Sequence, residues 1–187
     1  MSLTPTEIAL DRFMHDLRQL QPEAPRQPYS AEWLSDCYQQ HAADGVSVGW
    51  RPTLQAEKHD MFQRLSEALE EPIHPDIVSY YGRYWSDPLP ARRGEDQLTL
   101  LQVWNPADLE RLRENLIGHA LNKRRAKASL TLFFACVEPN SEWFISLDNT
   151  NGNVLLEAPG KPAIRELSDS LPDFLNSLTP TPIPDQE

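Results

Sequence analysis

The sequence predicts an α+β fold, a single domain in which a mostly antiparallel sheet packs against helices. The 187 residues, 40% of them hydrophobic, suffice for one domain with its own core. The apolar segment 97–104 predicts a central strand that leads directly into a long capped helix. Three further strands are predicted in succession over 129–157. Helices followed by a late run of hairpins are typical of α+β proteins.

The first predicted element is a helix that begins with a capping box. In Thr4-Pro5-Thr6-Glu7 a hydroxyl faces the free amides of the first turn, proline takes the first helical position and glutamate reaches back. The proline-rich stretch 21–53 is predicted to wrap irregularly, apart from a short strand at 46–50. Apolar residues at helical spacing predict one buried face for the first helix: Ile8, Leu10, Phe13, Met14, Leu17 and Leu20.

Two more helices are predicted over 61–85. The first ends before Pro72, and the second begins after Pro75. Both carry an apolar face that predicts packing against a core. The residues of these faces are Met61, Phe62, Leu65 and Leu69 in the first, and Ile77, Val78, Tyr80, Tyr81 and Tyr84 in the second.

The strand at 97–104 leads into the long helix, which Asn105 caps and Pro106 begins. Asp108 lies in the first turn and the basic cluster 123–127 in the last, where the helix dipole favours each charge. The predicted buried stripe consists of Leu109, Leu112, Leu116, Ile117 and Ala120.

The three later strands, 129–137, 142–147 and 153–157, are joined by turn sequences at 138–141 and 148–152 and predict an antiparallel meander. A short helix over 171–178, capped by Ser170, ends the predicted domain, which spans 1–178. Residues 179–187 are rich in proline and are predicted to form a disordered tail.

The chain is acidic, with 28 acidic against 17 basic side chains and a net charge of −11. Four of the bases, Lys123, Arg124, Arg125 and Lys127, lie together, which leaves 13 bases for the rest of the chain. Such an excess disfavours nucleic acid and favours a cationic partner, over a Debye length of about 8 Å. The alternative interpretation is acidity for solubility alone. The four bases serve the helix dipole, or contact anionic lipid at about 1 kcal/mol per residue.

The cysteines, Cys37 and Cys136, lie far apart, and the N-terminus shows no basic segment followed by an apolar one. These features predict a cytoplasmic protein with reduced thiols. No run of about 20 apolar residues is present, so any membrane association is expected to be peripheral, through a partner.

No motif points to catalysis, a cofactor or a metal. Cys37 and His41, four residues apart, are a single pair, whereas structural zinc needs four ligands. The 7 glycines do not form a phosphate-binding loop. Cys136 falls in a predicted core strand, where a thiol is usually inert packing. His119, at the edge of the helical stripe, is interpreted as a structural histidine with its hydrogen bonds satisfied.

The candidate binding residues are acidic and aromatic. We hypothesise that the fold gathers the carboxylates around a concavity walled by Tyr80, Tyr81 and Trp85, whose low dielectric would concentrate the field. Trp104, at the end of the central strand, is either core or the floor of this cleft. The alternative is that the carboxylates are scattered over a solvated exterior. The carboxylates are Glu67, Glu70, Glu71, Asp87, Glu95, Asp96 and Glu114.

The amino-acid sequence of 98–106, together with 114–119 and 123–125, resembles the Syd family of SecY-interacting proteins. The resemblance continues into 131–135 and 173–178, so it covers roughly the latter half of the chain and, more weakly, the first helix. The chain departs from the family's usual sequence at Trp85-Ser86-Asp87-Pro88, which weakens the assignment of Asp87 as a binding residue. The residues that match directly are Asp96, Gln102, Trp104, Glu114, Asn115, Gly118 and His119.

This resemblance implies a SUKH-like fold with an acidic concave binding face. It also implies a non-enzymatic protein that docks on the cytoplasmic loops of the SecY channel at the inner membrane and monitors or negatively regulates the translocase. Cytoplasmic loops of membrane proteins are rich in Lys and Arg, so an acidic partner is complementary to them. Two other classes stay open: an immunity-like module that neutralises a basic toxin, and a hydrolase or metalloprotein.

Overall fold

Within residues 1–138 and 142–187, which the computed structural model describes, a seven-stranded antiparallel sheet forms the centre of the fold. Each strand pairs antiparallel with its neighbours. From one edge to the other, the strands are Arg165–Ser168 (β10), Val154–Glu157 (β9), Phe144–Asp148 (β8), Thr131–Glu138 (β7), Asp96–Leu100 (β6), Leu89–Arg93 (β5) and Thr179–Pro180 (β11).

Strands β7, β8 and β9 confirm the predicted meander. β6 confirms the central strand, although it ends at Leu100 and not at Trp104 as predicted. Most of the predicted turn at 138–141 lies outside the described residues. The sequence did not predict β5 or β10. In β10, Arg165 and Glu166 are exposed, so this edge strand lacks the apolar alternation that marks a strand. In β5, Pro90 interrupts the pattern although Leu89 and Ala91 are buried.

The predicted helices and their caps are confirmed. The Thr4 hydroxyl accepts the amide of Glu7, and the Asn105 side chain accepts that of Asp108. The Ser170 hydroxyl accepts the amide of Asp173. The helices are Pro5–Leu20 (α1), Met61–Leu69 (α2), Pro75–Arg83 (α3), Pro106–Arg125 (α4) and Leu171–Asn176 (α5).

Helices cover both faces of the sheet. On one face, His119 of α4 packs edge-on against Phe133 of β7. On the other, Tyr80 of α3 and Phe174 of α5 pack against Phe134. The sheet is therefore buried through its middle, as expected for a core between two helical layers.

Three residues of the predicted core are wrongly placed. Ile8 and Leu20, assigned to the buried face of α1, are 56% and 49% exposed, and Val78, assigned to that of α3, is 37% exposed. Ile8 precedes the buried Ala9 and so projects about 100° away from it around the helix. The buried stripe of α1 consists instead of Thr6, Ala9, Leu10, Phe13 and Leu17.

The N-terminal segment after α1, residues 21–54, forms one small antiparallel sheet and a 3₁₀ turn, Ala31–Trp33, and contributes one strand to a second small sheet whose other strand follows α3. The strand predicted at 46–50 is observed, and Trp50 packs edge-on against Trp104. The segment therefore folds over the start of α4. The strands of one sheet are Arg26–Pro28 (β1) and Ser47–Gly49 (β2), and those of the other are Thr53–Leu54 (β3) and Tyr84–Trp85 (β4).

Residues 179–187, predicted as a disordered tail, lie against the domain. β11 pairs with β5, and Ile183 is 6% exposed. The amide of Arg26 donates to the Asp185 carboxylate at 2.8 Å, and the amide of Gln186 donates to the Arg26 carbonyl at 2.8 Å. A proline is compatible with this position because an edge strand can spare one backbone donor.

Replacing Glu70 with glycine is expected to raise the free energy of unfolding by about 1 kcal/mol. Glu70 ends α2 in the left-handed conformation, with φ 54° and ψ 37°. That conformation costs a residue with a Cβ about 1 kcal/mol, and glycine avoids the cost. Urea denaturation measures the change. Glu67→Gly is the control: Glu67 lies inside α2, so glycine there should lower stability by about 1 kcal/mol, and a shared sign would contradict the assignment.

Candidate functional site

A cleft of about 660 Å³ opens between the N-terminal segment and the start of α4. We call it the aromatic cleft. Its walls come from the stretch 29–41, the loop 56–59, Trp85 of β4 and residues 104–106. Four separate parts of the chain therefore have to fold together to form it. The lining residues are Tyr29, Leu34, Ser35, Asp36, Tyr38, Gln39, Gln40, His41, Ala56, Glu57, His59, Trp85, Trp104, Asn105 and Pro106.

Bonds between side chains and backbone hold the stretch 29–41 against α4. The Ser35 hydroxyl donates to the carbonyl of Trp104 at 2.6 Å. The Asn105 amide group donates to the carbonyl of Leu34 at 2.9 Å, while its oxygen caps α4. Asn105 thus serves the helix and the cleft with one side chain.

Aromatic rings form the floor of the cleft. Tyr38 lies between Tyr29 and Trp104, with ring centroids 4.8 and 5.1 Å away. The Trp104 indole donates to the carbonyl of Trp33 at 3.0 Å. The ring centroids of Trp85 and His59 lie 5.2 Å apart. Since Trp85 and Trp104 are nearly buried yet line the cleft, they belong both to the core and to its floor.

The charged residues of the cleft are acidic. Among the described residues that line it, Asp36 and Glu57 carry carboxylates and none is Lys or Arg. Asp87, two residues after Trp85, interacts electrostatically with Tyr38 of the cleft and is half-buried, and burial raises the pKa of its carboxyl. Carboxylates at the edge of aromatic walls concentrate a negative potential, because the walls have a low dielectric.

The structure places part of the predicted acidic set on the helix pair α2–α4. Arg64 pairs with Glu110, and the carbonyl of Leu69 accepts from Arg124, so the two helices run in the same direction. Glu67 and Glu114 are exposed, and each lies about one helical turn C-terminal to the Arg64–Glu110 pair. Glu70 is exposed at the end of α2, and Glu71 accepts from the Asn149 side chain at 3.2 Å.

The other predicted carboxylates lie elsewhere. Glu95 and Asp96 are exposed at the turn between β5 and β6. Asp87 interacts with Asp108 near the start of α4, whereas Glu71 lies near Arg124 at its end, in a helix of 20 residues and so about 30 Å long. The structure therefore separates the predicted acidic residues into three places.

Tyr80 and Tyr81, predicted to wall the cleft, are core residues. Both side chains are 0% exposed, so neither can contact a partner. The Tyr80 hydroxyl donates to the carbonyl of Leu101 and the Tyr81 hydroxyl to that of Phe133, each at 2.8 Å. Burial is possible because the sheet supplies these acceptors, which the sequence did not reveal.

Sequence reasoning missed the two carboxylates of the aromatic cleft, Asp36 and Glu57. Both lie in irregular chain, where no periodicity indicates which way a side chain points. The one usable signal was the density of aromatic residues near Asp36. Tyr29, Trp33 and Tyr38 lie within ten positions of one another in a segment without α-helix.

A second polar cluster lies away from the cleft, where the buried carboxylate of Glu157 joins β9 to α4. It accepts hydrogen bonds from Lys123, Thr131 and Ser146. Burial raises the pKa of Glu157, but these hydrogen bonds outweigh burial and hold the pKa below its usual value of 4.5. Lys123, Thr131 and Ser146 thus form one hydrogen-bonded network around the Glu157 carboxylate.

His119 borders this cluster and contacts the Thr131 hydroxyl through Nε2 at 2.9 Å. Burial lowers the pKa of the imidazole. His119 thus has a hydrogen-bond partner, as expected of a structural histidine. Of the neighbouring bases, Lys123 binds Glu157 and Arg124 binds the Leu69 carbonyl, while Arg125 and Lys127 are exposed.

The two thiols are both poor nucleophiles. Cys37 is buried, and burial raises its pKa to about 12. Burial also raises the pKa of Cys136 in β7. Both thiols are therefore protonated at neutral pH.

The fold is an α+β domain with an aromatic-floored cleft, whose charged lining residues, among those described, are Asp36 and Glu57. Among the described residues, each helix is too short or too polar to cross a lipid bilayer. The chain belongs to the Syd protein (SUKH-2) family, whose model matches residues 7–180. The match thus extends well beyond the latter half of the chain.

Individual relatives agree. The chain is 39% identical over 161 residues to Protein Syd of Pseudoalteromonas atlantica, covering 85% of this chain and 86% of that protein. It is 35% identical over 181 residues to Protein Syd of Alteromonas mediterranea, covering 96% and 98%. Protein Syd of Tolumonas auensis is 44% identical over 131 residues, covering 70% and 67%. The relatives therefore match this chain over most of their length.

Proposed function

We propose that this protein is a non-enzymatic cytosolic protein that binds the basic cytoplasmic loops of the SecY channel and monitors or negatively regulates the translocase. The observation that carries the proposal is the aromatic cleft, with Asp36 and Glu57 at its walls and no Lys or Arg among its described lining residues. The net charge of −11 and membership of the Syd family support it. Association with the inner membrane would be peripheral, through SecY.

The physical basis is charge complementarity. Cytoplasmic loops of membrane channels carry an excess of Lys and Arg, and the cleft offers carboxylates beside low-dielectric walls. Binding of this kind is fast, modest in strength and weakened by salt. Trp85 and Trp104 would supply the floor on which a basic side chain rests.

The carboxylates outside the cleft would act at longer range. Glu67, Glu70 and Glu114 on α2–α4, and Glu95 with Asp96 on the β5–β6 turn, are exposed and add to the negative field. Such charges steer a basic partner towards the protein and raise the association rate more than the affinity. Asp87, close to the cleft, would contribute in the same way.

Reversing the two cleft carboxylates in Asp36→Lys/Glu57→Lys is expected to weaken binding to SecY-containing membrane vesicles about tenfold. Both side chains are exposed, so the melting temperature should stay nearly constant. Cosedimentation at low ionic strength measures the binding, and vesicles without SecY give the background.

The matched control is Glu95→Lys/Asp96→Lys, which makes the same change of net charge on the exposed β5–β6 turn. It should retain most of the binding. An equal loss in both variants would show that net charge alone matters and that the cleft is not the docking site. Equal recovery on vesicles with and without SecY would remove SecY as the partner.

A further inference from the structure

We infer that the partner segment in the aromatic cleft continues across His59 into a neighbouring apolar groove, so that the recognised segment carries a bulky apolar residue close to its basic residues. This inference rests on the proposed function, because it concerns the same partner. It adds that the partner is recognised by apolar contact as well as by charge.

The groove has a volume of about 400 Å³ and lies between the N-terminal residues, the start of α2 and α3. Its apolar walls include Leu3, Met61, Phe62 and Val78. Leu3 is 43% exposed and Val78 37% exposed. Apolar surface of this kind, gathered in one concave place, is typical of a contact site.

The groove and the aromatic cleft meet at one loop. Glu57 lines the cleft, Lys58 lines the groove and His59 lines both. The ring of His59 also contacts Trp85 at the floor of the cleft, with the two ring centroids 5.2 Å apart. An extended chain advances about 3.3 Å per residue, so a few residues of a bound segment would pass from one to the other.

The polar groups of the groove do not favour a basic occupant. The Glu7 carboxylate accepts the amide of Thr4 at 2.8 Å and so completes the cap of α1. The Gln55 amide group donates to the carbonyls of Tyr81 and Tyr84. Glu7 and Gln55 are thus engaged within the protein, and Lys58, which also lines the groove, repels a cation, so the groove suits the apolar part of a basic segment, whereas the cleft offers carboxylates.

These two surfaces together fit a loop that joins membrane spans. A cytoplasmic loop of a channel carries its Lys and Arg beside apolar spans, so basic and apolar side chains occur close together in one segment. The acidic cleft admits the basic part by charge complementarity, and the groove beside it admits the apolar part. We therefore assign the groove to the same segment.

Two synthetic peptides test this inference. They share one Lys- and Arg-rich core, flanked on both sides by leucine in the first and by serine in the second. Fluorescence anisotropy with the full chain should show about tenfold tighter binding of the leucine peptide, an advantage that salt reduces little. The serine peptide should bind more weakly and lose its binding as salt is added.

Val78→Asp should remove the advantage of the leucine peptide over the serine peptide. Ile8→Asp is the matched control, because Ile8 is exposed on α1 and does not line the groove, and it should preserve the advantage. Equal affinities for the two peptides would overturn the inference and leave the proposed function standing. Failure of both peptides to bind would overturn both.

Sedimentation equilibrium tests the other occupant, a second copy of the chain. The natural protein and Val78→Asp should have the same molecular mass in solution. A dimer that Val78→Asp dissociates would show that the groove joins two copies, which would overturn the inference.

Discussion

Lys123→Met is expected to lower the free energy of unfolding by about 3 kcal/mol. The substitution leaves the Glu157 carboxylate, which is 1% exposed, without its cation. Removing one partner of a buried ion pair costs about 3–5 kcal/mol, and the hydroxyls of Thr131 and Ser146 keep this case at the lower end. Urea denaturation at neutral pH measures the loss. Lys127→Met, an exposed position in the same turn of chain, should change stability by only about 0.5 kcal/mol.

The decrease in the free energy of unfolding caused by Lys123→Met should be smaller at acidic pH. In the natural protein the pKa of Glu157 lies below 4.5, so its stabilisation is complete above pH 4.5 and is lost as the pH falls through the folded value. Without Lys123, burial dominates and raises that pKa, so protonation relieves the variant while it weakens the natural protein. A difference between the two proteins that stays constant with pH, or a Lys127→Met effect of equal size, would contradict this account.

Gly152→Ala is expected to destabilise the protein by about 3 kcal/mol. Gly152, in the turn between β8 and β9, has φ +79°, where a residue with a Cβ pays about 1 kcal/mol. A Cβ there would lie 2.7 Å from Nε2 of His74, so the ring would have to move. His74 caps α3 by accepting the Asp76 amide, and that bond would be disturbed as well.

Gly160→Ala separates the two contributions. Gly160 also has a positive φ, +69°, but its Cβ would meet no atom within 4 Å. The control should therefore cost only the backbone part, about 1 kcal/mol. Thermal melting of both variants provides the comparison, and equal shifts would show that the contact with His74 carries no cost.

The sequence predicted well the elements whose signals are local. Thr4, Asn105 and Ser170 marked the starts of three helices, because a cap depends on a few neighbouring residues. The meander of β7, β8 and β9 followed from apolar runs between turn sequences. Ile8 was misplaced because its exposure depends on which way α1 rotates against its neighbours, and no local pattern fixes that rotation.

The site was predicted only in part, since a cleft depends on contacts between distant segments. Trp85, predicted to wall a cleft, and Trp104, predicted as either core or cleft floor, both line the aromatic cleft. Tyr80 and Tyr81 were assigned to the cleft because the sequence cannot show that their hydroxyls donate hydrogen bonds to the carbonyls of Leu101 and Phe133. The acidic residues chosen were those on recognisable helices and turns, whereas Asp36 and Glu57 lie in irregular chain.

The raised pKa values of Cys37 and Cys136 have a practical consequence. Maleimide and bromoacetyl reagents react with thiolates, and burial lowers the thiolate fraction of both native residues below that of an exposed cysteine. A cysteine introduced at the exposed position of Glu57 would therefore take up a photoactivatable label selectively in the natural background. The native chain is in this way already suited to site-directed crosslinking from within its cleft, without prior removal of its own sulfhydryl groups.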